Sequence, residues 1–152
     1  MTKRYWEDFA AGEVLTLGDT PPVTEEAIIA FARQYDPQYF HQDPVRAKES
    51  IFGGLVASGW HTAGMVMRLW VDAVVSHVVS MGSPGVEDLR WPAPVRPGDT
   101  LTARAVVLET RPSKSRPEMG LVRWRAETSN QRDELVFTMT GTSFIGRRPG
   151  LV

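Results

Sequence analysis

Between residues 35 and 43 the chain reads YDPQYFHQD, and two of these side chains can handle protons. Asp36 and His41 stand five positions apart, separated by Pro37, Gln38, Tyr39 and Phe40. Histidine has an ordinary pKa of about 6.5, so it takes or gives a proton near neutral pH. A carboxylate beside it can orient the ring or share the task, and together they can hold one water molecule. The local alternative is turn chemistry, with Asp36 bracing the bend at Pro37 and His41 lying at the surface beside Asp43. Tyr39 and Phe40 then supply either dry surroundings for the pair or part of the core.

A second stretch with chemical potential is FGGLVASGW, residues 52–60. Its plain reading is a loop running into a helix capped by Ser58 or Gly59. The same geometry leaves unpaired N–H groups at the helix start, where they can stabilise a developing oxyanion. Other polar features are more readily structural. His61 and His77 fall on the following apolar segment and read as core or interface histidines. The segment TRPSKSRPE, 110–118, carries Arg111, Lys114 and Arg116. It reads as a solvated hairpin tip or a grip on phosphates, and Arg147 and Arg148 allow the same choice. Trp124 reads as core.

The elements that must position these groups follow from periodicity. An apolar alternation from Glu13 to Asp19 suggests a first strand, ended by Thr20-Pro21-Pro22. Thr24 reads as an N-cap with Glu25 and Glu26 in the first helical turn. Ile28, Phe31, Ala32 and Tyr35 continue at helical spacing, and Pro37 stops the helix. Asp43-Pro44 suggests a short second helix through Lys48. After Ser58-Gly59, residues Trp60, Ala63, Met67, Trp70, Val74 and Val78 form one stripe, and Val66, Leu69 and Ala73 a second. Such a helix is expected to be buried, and some 20 residues would make a rod of about 30 Å.

Beyond Gly85 the pattern is of strands: 86–95, 100–109, 121–128 and 135–144, joined by turns such as Pro97-Gly98-Asp99. On the third, Val122, Trp124, Ala126 and Thr128 share a face. Short turns between successive strands imply an antiparallel sheet. One buried helix and such a sheet must cover each other, so the fold class is α+β in a single domain, 1–152.

Composition narrows the function. A chain of 152 residues buries roughly 68–70% of its unfolded surface, enough for a core without staples. It has no cysteine, which excludes disulfides and thiolate metal sites. Net charge is −1, from 17 basic and 18 acidic residues, so no basic field points to nucleic acid. The start, MTKRYWEDFAAGE, has no signal-peptide pattern. The apolar stretch 59–80 holds Arg68 and Asp72 near its centre, each costing about 2.5–3.5 kcal/mol in a bilayer, so no membrane span is expected. The expectation is a cytoplasmic protein.

Asp36 with His41, Asp43-Pro44, Phe52-Gly53-Gly54, Ala57-Ser58-Gly59, Pro94-Val95 and Gly98-Asp99-Thr100 occur in an order that resembles the MaoC-like dehydratases, the group of R-specific enoyl-CoA hydratases. The likeness runs from about residue 5 to 146. Within the motif, the positions usually held by Asn and Pro are Gln38 and Tyr39, and the His-Gly usual at the helix start is Ser58-Gly59. The resemblance implies a hot-dog fold, a curved antiparallel sheet wrapped around one long central helix, built into a homodimer or a higher assembly of dimers. It implies hydration of a trans-2-enoyl thioester of coenzyme A, with Asp36 and His41 as the catalytic pair. Gly59, Ser58, Gly54 and Phe52 are then expected at the substrate, with Trp60, Met65 or Met67, and Trp91 around it. No metal and no separate cofactor is implied, since coenzyme A is part of the substrate. A hot-dog thioesterase and a non-catalytic acyl-binding dimeric module are the alternatives.

Overall fold

The computed structural model describes residues 3–150. Its strands are β1 (Val14–Asp19), β2 (Ser80–Gly82), β3 (Val86–Arg90), β4 (Thr102–Pro112), β5 (Met119–Ser129) and β6 (Leu135–Gly146). Three helices, α1 (Glu25–Tyr35), α2 (Tyr39–Gln42) and α3 (Gly59–Ala73), lie between β1 and β2 in the chain. The sheet runs β1-β4-β5-β6-β2, with β3 following β2 along the same side of β6, and every pairing is antiparallel. It wraps α3 in the hot-dog arrangement.

Alternation decides which face meets the helix. Val122, Trp124, Ala126 and Thr128 of β5 are all buried, as expected. With Leu15 and Leu17 of β1 and Ala103, Ala105 and Val107 of β4, the apolar members of this row enclose Trp70, Val74 and Val78. The rings of Trp70 and Trp124 lie 4.3 Å apart between centroids. Gly141 on β6 permits this, because a Cβ there would come within 2.4 Å of the Trp124 indole. A second cluster joins α1 to the start of α3 through Ile28, Leu55, Val66, Leu101 and Phe137.

The helix differs from the sequence expectation in length and exposure. α3 has 15 residues, or about 22 Å at 1.5 Å each, and not some 20. A 3-10 turn, Val75–His77, then leads into an extended Val78 held beside Arg4. The Arg4 N–H donates to the His77 carbonyl at 2.8 Å, and Val79 N–H donates to the Arg4 carbonyl at 3.0 Å. Nor is the helix covered all round. Its buried line is Thr62, Val66 and Trp70, whereas Trp60 and Met67 are 59% and 55% exposed. The sheet can cover only one side, so the first stripe is split: Trp70, Val74 and Val78 are buried against the sheet, whereas Trp60 and Met67 are left facing outward.

Smaller differences share a cause. β3 ends at Arg90 and residues 91–95 leave the sheet to cross the start of α3, because the expected extended stretch is broken by Pro92 and Pro94. β2 and α2 have no periodicity of their own, and pairing to β6 and a turn at Gln38 create them. Asp43 does cap the next turn, accepting from the Val45 and Arg46 N–H groups, though that turn is a 3-10 helix at Arg46–Glu49. Arg147 and Arg148 clasp the N-terminal segment, pairing with Glu7 and Asp8 at 3.3 and 2.6 Å.

The PGDT turn is structural. Asp99, 3% exposed, accepts from the Arg96 N–H (2.9 Å), the Gln131 side-chain amide (2.9 Å) and Arg132 (3.4 Å). Its carbonyl accepts from Val23 N–H at 2.8 Å. One buried carboxylate thus ties the approaches to α1 and β4 to the β5–β6 turn. Removing it deletes bonds to a buried carboxylate, and hydrogen bonds to charged groups contribute about 1.5–3 kcal/mol. Asp99→Ala is therefore expected to lower the urea midpoint by about that much free energy, with an unchanged slope.

Candidate active site

The helix breaker Pro37 decides where Asp36 goes. α1 stops at Tyr35, and Asp36 is its C-cap with φ −150°. The chain then turns through Gln38 into α2, a single turn that carries His41 inward until its side chain is 8% exposed. The two side chains meet, His41 Nε2 lying 3.4 Å from Asp36 Oδ2.

Each partner is held from behind. His41 Nδ1 is 2.7 Å from the Val56 carbonyl oxygen. A carbonyl can only accept, so Nδ1 carries the hydrogen, and whenever the ring is neutral its Nε2 lone pair faces Asp36. Asp36 Oδ1 accepts from the Gln38 side-chain amide at 2.8 Å, and Oδ2 from the Ser58 hydroxyl at 2.7 Å. Burial pushes the Asp36 carboxyl up, but these two donors and the nearby His41 outweigh it, and the group lies below its ordinary value of 3.8. Asp36 is thus a carboxylate at neutral pH. A neutral His41 Nε2 and a carboxylate are both acceptors, so they cannot bond directly. One water donating a hydrogen to each satisfies both.

The pair opens on a cavity of about 440 Å³ whose wall includes Phe40, Phe52, Gly59, Trp60, Thr62 and Trp91. α3 begins here. Ser58 caps it by accepting from Trp60 N–H at 3.3 Å, and the Gly59 N–H has no protein acceptor among the described residues. Trp91 crosses above, its indole N–H donating to the Gly59 carbonyl at 2.8 Å. A Cβ at residue 59 would sit 2.4 Å from that indole, so only glycine fits beneath it. Trp60 and Trp91 then meet edge to face at 5.3 Å, forming the cavity rim.

Of the residues expected at the substrate, Gly59 and Phe52 line the cavity, as do Trp60 and Trp91. Ser58 and Gly54 do not. The Ser58 side chain is turned onto Asp36, and Gly54 lies under the Arg96 guanidinium, whose Nη2 donates to the Phe52 carbonyl at 2.7 Å. Met65 and Met67 line other grooves. Gln38 and the Val56 carbonyl are the site residues that sequence reasoning missed as working parts. Gln38 had a local signal, an amide two residues from a carboxylate, and Val56 had none.

His61 faces away, stacked on Phe31 with centroids 4.9 Å apart, and burial pushes it below the ordinary histidine value. The basic hairpin residues Arg111, Lys114 and Arg116 take no part in the cavity wall. Among the described residues no three His, Asp or Glu side chains gather as a metal site, and no helix is long and apolar enough to cross a membrane.

Residues 8–129 match the MaoC like domain. The chain belongs to the MaoC-like dehydratase family. The crystal structure of the MaoC-like dehydratase from Rhodospirillum rubrum superposes with a TM-score of 0.85 at 42% identity, covering 96% of this chain and 99% of that one. Protein MaoC of Klebsiella aerogenes is 34% identical over 137 residues, 86% of this chain but 40% of its own length. The 3-hydroxyacyl-thioester dehydratase Z of Mycobacterium tuberculosis is 33% identical over 96 residues, 62% of this chain and 64% of that protein. The chain thus spans less than two thirds of either relative.

The fit of Trp91 over Gly59 is open to direct test. Gly59→Ala must displace the indole, and overpacking of this kind costs about 1–3 kcal/mol. The expected result is a lower thermal midpoint and an altered tryptophan emission.

Proposed function

We propose that this protein is a hydratase that adds water across a trans-2-enoyl thioester, or the reverse dehydratase, acting on acyl-CoA. The observation that carries the reading is the meeting of Asp36 and His41, 3.4 Å apart, at a cavity that also holds the start of α3. Membership of a family that includes a 3-hydroxyacyl-thioester dehydratase supports it.

In this scheme the thioester carbonyl lies against the free Gly59 N–H, and C3 faces the water held by the pair. His41 Nε2 is the base, because its lone pair is uncommitted whereas two hydrogen bonds lower the basicity of Asp36. As the water oxygen bonds to C3, its proton passes to Nε2 and the π electrons move through C2 to the carbonyl oxygen. The enolate, stabilised at Gly59, collapses as C2 takes a proton from Nε2. The sum is one hydrogen at C2 and one hydroxyl at C3, with the enzyme unchanged. General base assistance contributes about 10²–10⁴-fold, and an oxyanion donor about 10²–10³-fold. No step calls on a metal or a separate cofactor. A cytoplasmic location suits a substrate carried on coenzyme A.

The assembly in this reading is a homodimer or a set of dimers. The outer edge of β3 has no strand partner among the described residues, and Val86, Met67, Trp60 and Trp91 stand exposed near it. Light scattering is expected to give at least twice the 16.9 kDa of the chain; a monomer at micromolar concentration would remove this part of the reading.

Activity is tested with crotonyl-CoA and longer enoyl-CoA thioesters. Loss of enoyl absorbance is the expected signal, and Asp36→Asn and His41→Ala should each lower kcat/KM by about 10²–10⁴-fold without unfolding the protein. Release of free thiol would instead mark a thioesterase. Silence across the whole panel would leave a non-catalytic acyl-binding module.

A further inference from the structure

Ser58 is a fully buried hydroxyl beside the site, with no exposure. It could have met the substrate, but its single proton is committed to Asp36 Oδ2 at 2.7 Å. The same oxygen accepts from the Trp60 N–H at the start of α3, at 3.3 Å. The hydroxyl is therefore oriented from one side by a helix amide and spends its donor on the carboxylate. The second carboxylate oxygen takes the Gln38 amide at 2.8 Å. Two donors from two different segments, one on each oxygen, fix the plane of a carboxylate that is otherwise free to rotate. Among the described residues, His41 is the one titratable group facing it. The remaining walls, 52–62 and 91–95, bring no ionisable side chain to the cavity.

We infer that Ser58 and Gln38 are positioning residues that lock the Asp36 carboxylate in place, with Ser58 coupling it to the helix end where the thioester carbonyl binds. Ser58 is turned from the cavity, and Gln38, at its wall, spends its side-chain amide on Asp36. Their work is to keep Asp36 ionised and at one angle, so that its water-holding edge stays opposite His41 Nε2. A carboxylate that loses a donor while remaining partly buried becomes easier to protonate. Misplacing a catalytic group by a small distance costs up to about 100-fold in rate.

The kinetic consequence rests on the hydratase reading, and the titration consequence does not. Ser58→Ala is expected to lower kcat about 10- to 100-fold with KM within about twofold, and to move the acid limb of the pH–rate profile to higher pH. Asp36 followed by carboxyl-carbon NMR in the same variant should titrate at higher pH than in the wild-type protein. Gln38→Ala, at an exposed position, should move both in the same direction, and it stands in for Ser58→Ala if that variant fails to fold. An unchanged Asp36 titration in a folded variant overturns the inference. So does a raised KM at constant kcat, which would make Ser58 a substrate contact. If the wild-type protein turns over no thioester, the hydratase reading falls and the titration alone decides this one.

Discussion

Everything at the site depends on α3 being pinned to the concave face of the sheet. The tilted packing of Trp70 on Trp124, centroids 4.3 Å apart, sets the depth of the helix, and Gly141 leaves room for the Trp124 ring. Once the middle of the helix is fixed, its first residues cannot wander. The Gly59 N–H and the Thr62 side chain arrive together at the cavity as a consequence, with the Ser58 hydroxyl on Asp36. Aromatic pairs of this kind contribute about 0.5–1.5 kcal/mol beyond the area they bury, so the contact both stabilises the fold and aims the helix.

Around that fixed helix end, four separate segments converge. α1 and α2 deliver Asp36 and His41, the chain before α3 delivers the Val56 carbonyl, and residues 91–95 deliver Trp91. Each is held by bonds that satisfy otherwise buried polar groups, among them Ala57 N–H to the Val95 carbonyl at 2.8 Å. The Asp99 cluster does the same for the turns behind the site. Unpaired groups in this interior would each cost about 1–3 kcal/mol, so the bonds that complete the fold also hold Asp36 and His41 still.

Gln38 and Tyr39 show how a departure from a motif can be absorbed. Gln38 reaches back to Asp36, and Tyr39 turns outward, its ring 5.0 Å beneath the Arg46 guanidinium. Neither fills the space between Asp36 and His41. Arg147 and Arg148 show the opposite case: a basic pair that could have gripped phosphates is engaged by Glu7 and Asp8 at the other end of the chain.

The sequence by itself determined the parts whose physics is local. Strand alternation along β5, the Thr24 cap, the stop at Pro37 and the closeness of Asp36 to His41 all follow from neighbours within a few positions. Only the tertiary structure decided that α3 ends at Ala73, that Trp60 and Met67 face outward, and that Ser58 serves Asp36 and not the cavity. The bonds from Ser58 to Asp36, from His41 to Val56 and from Trp91 to Gly59 span 22, 15 and 32 residues. Periodicity reports which face of an element is apolar, but not which distant segment will cover it. That choice is made when the sheet closes on the helix.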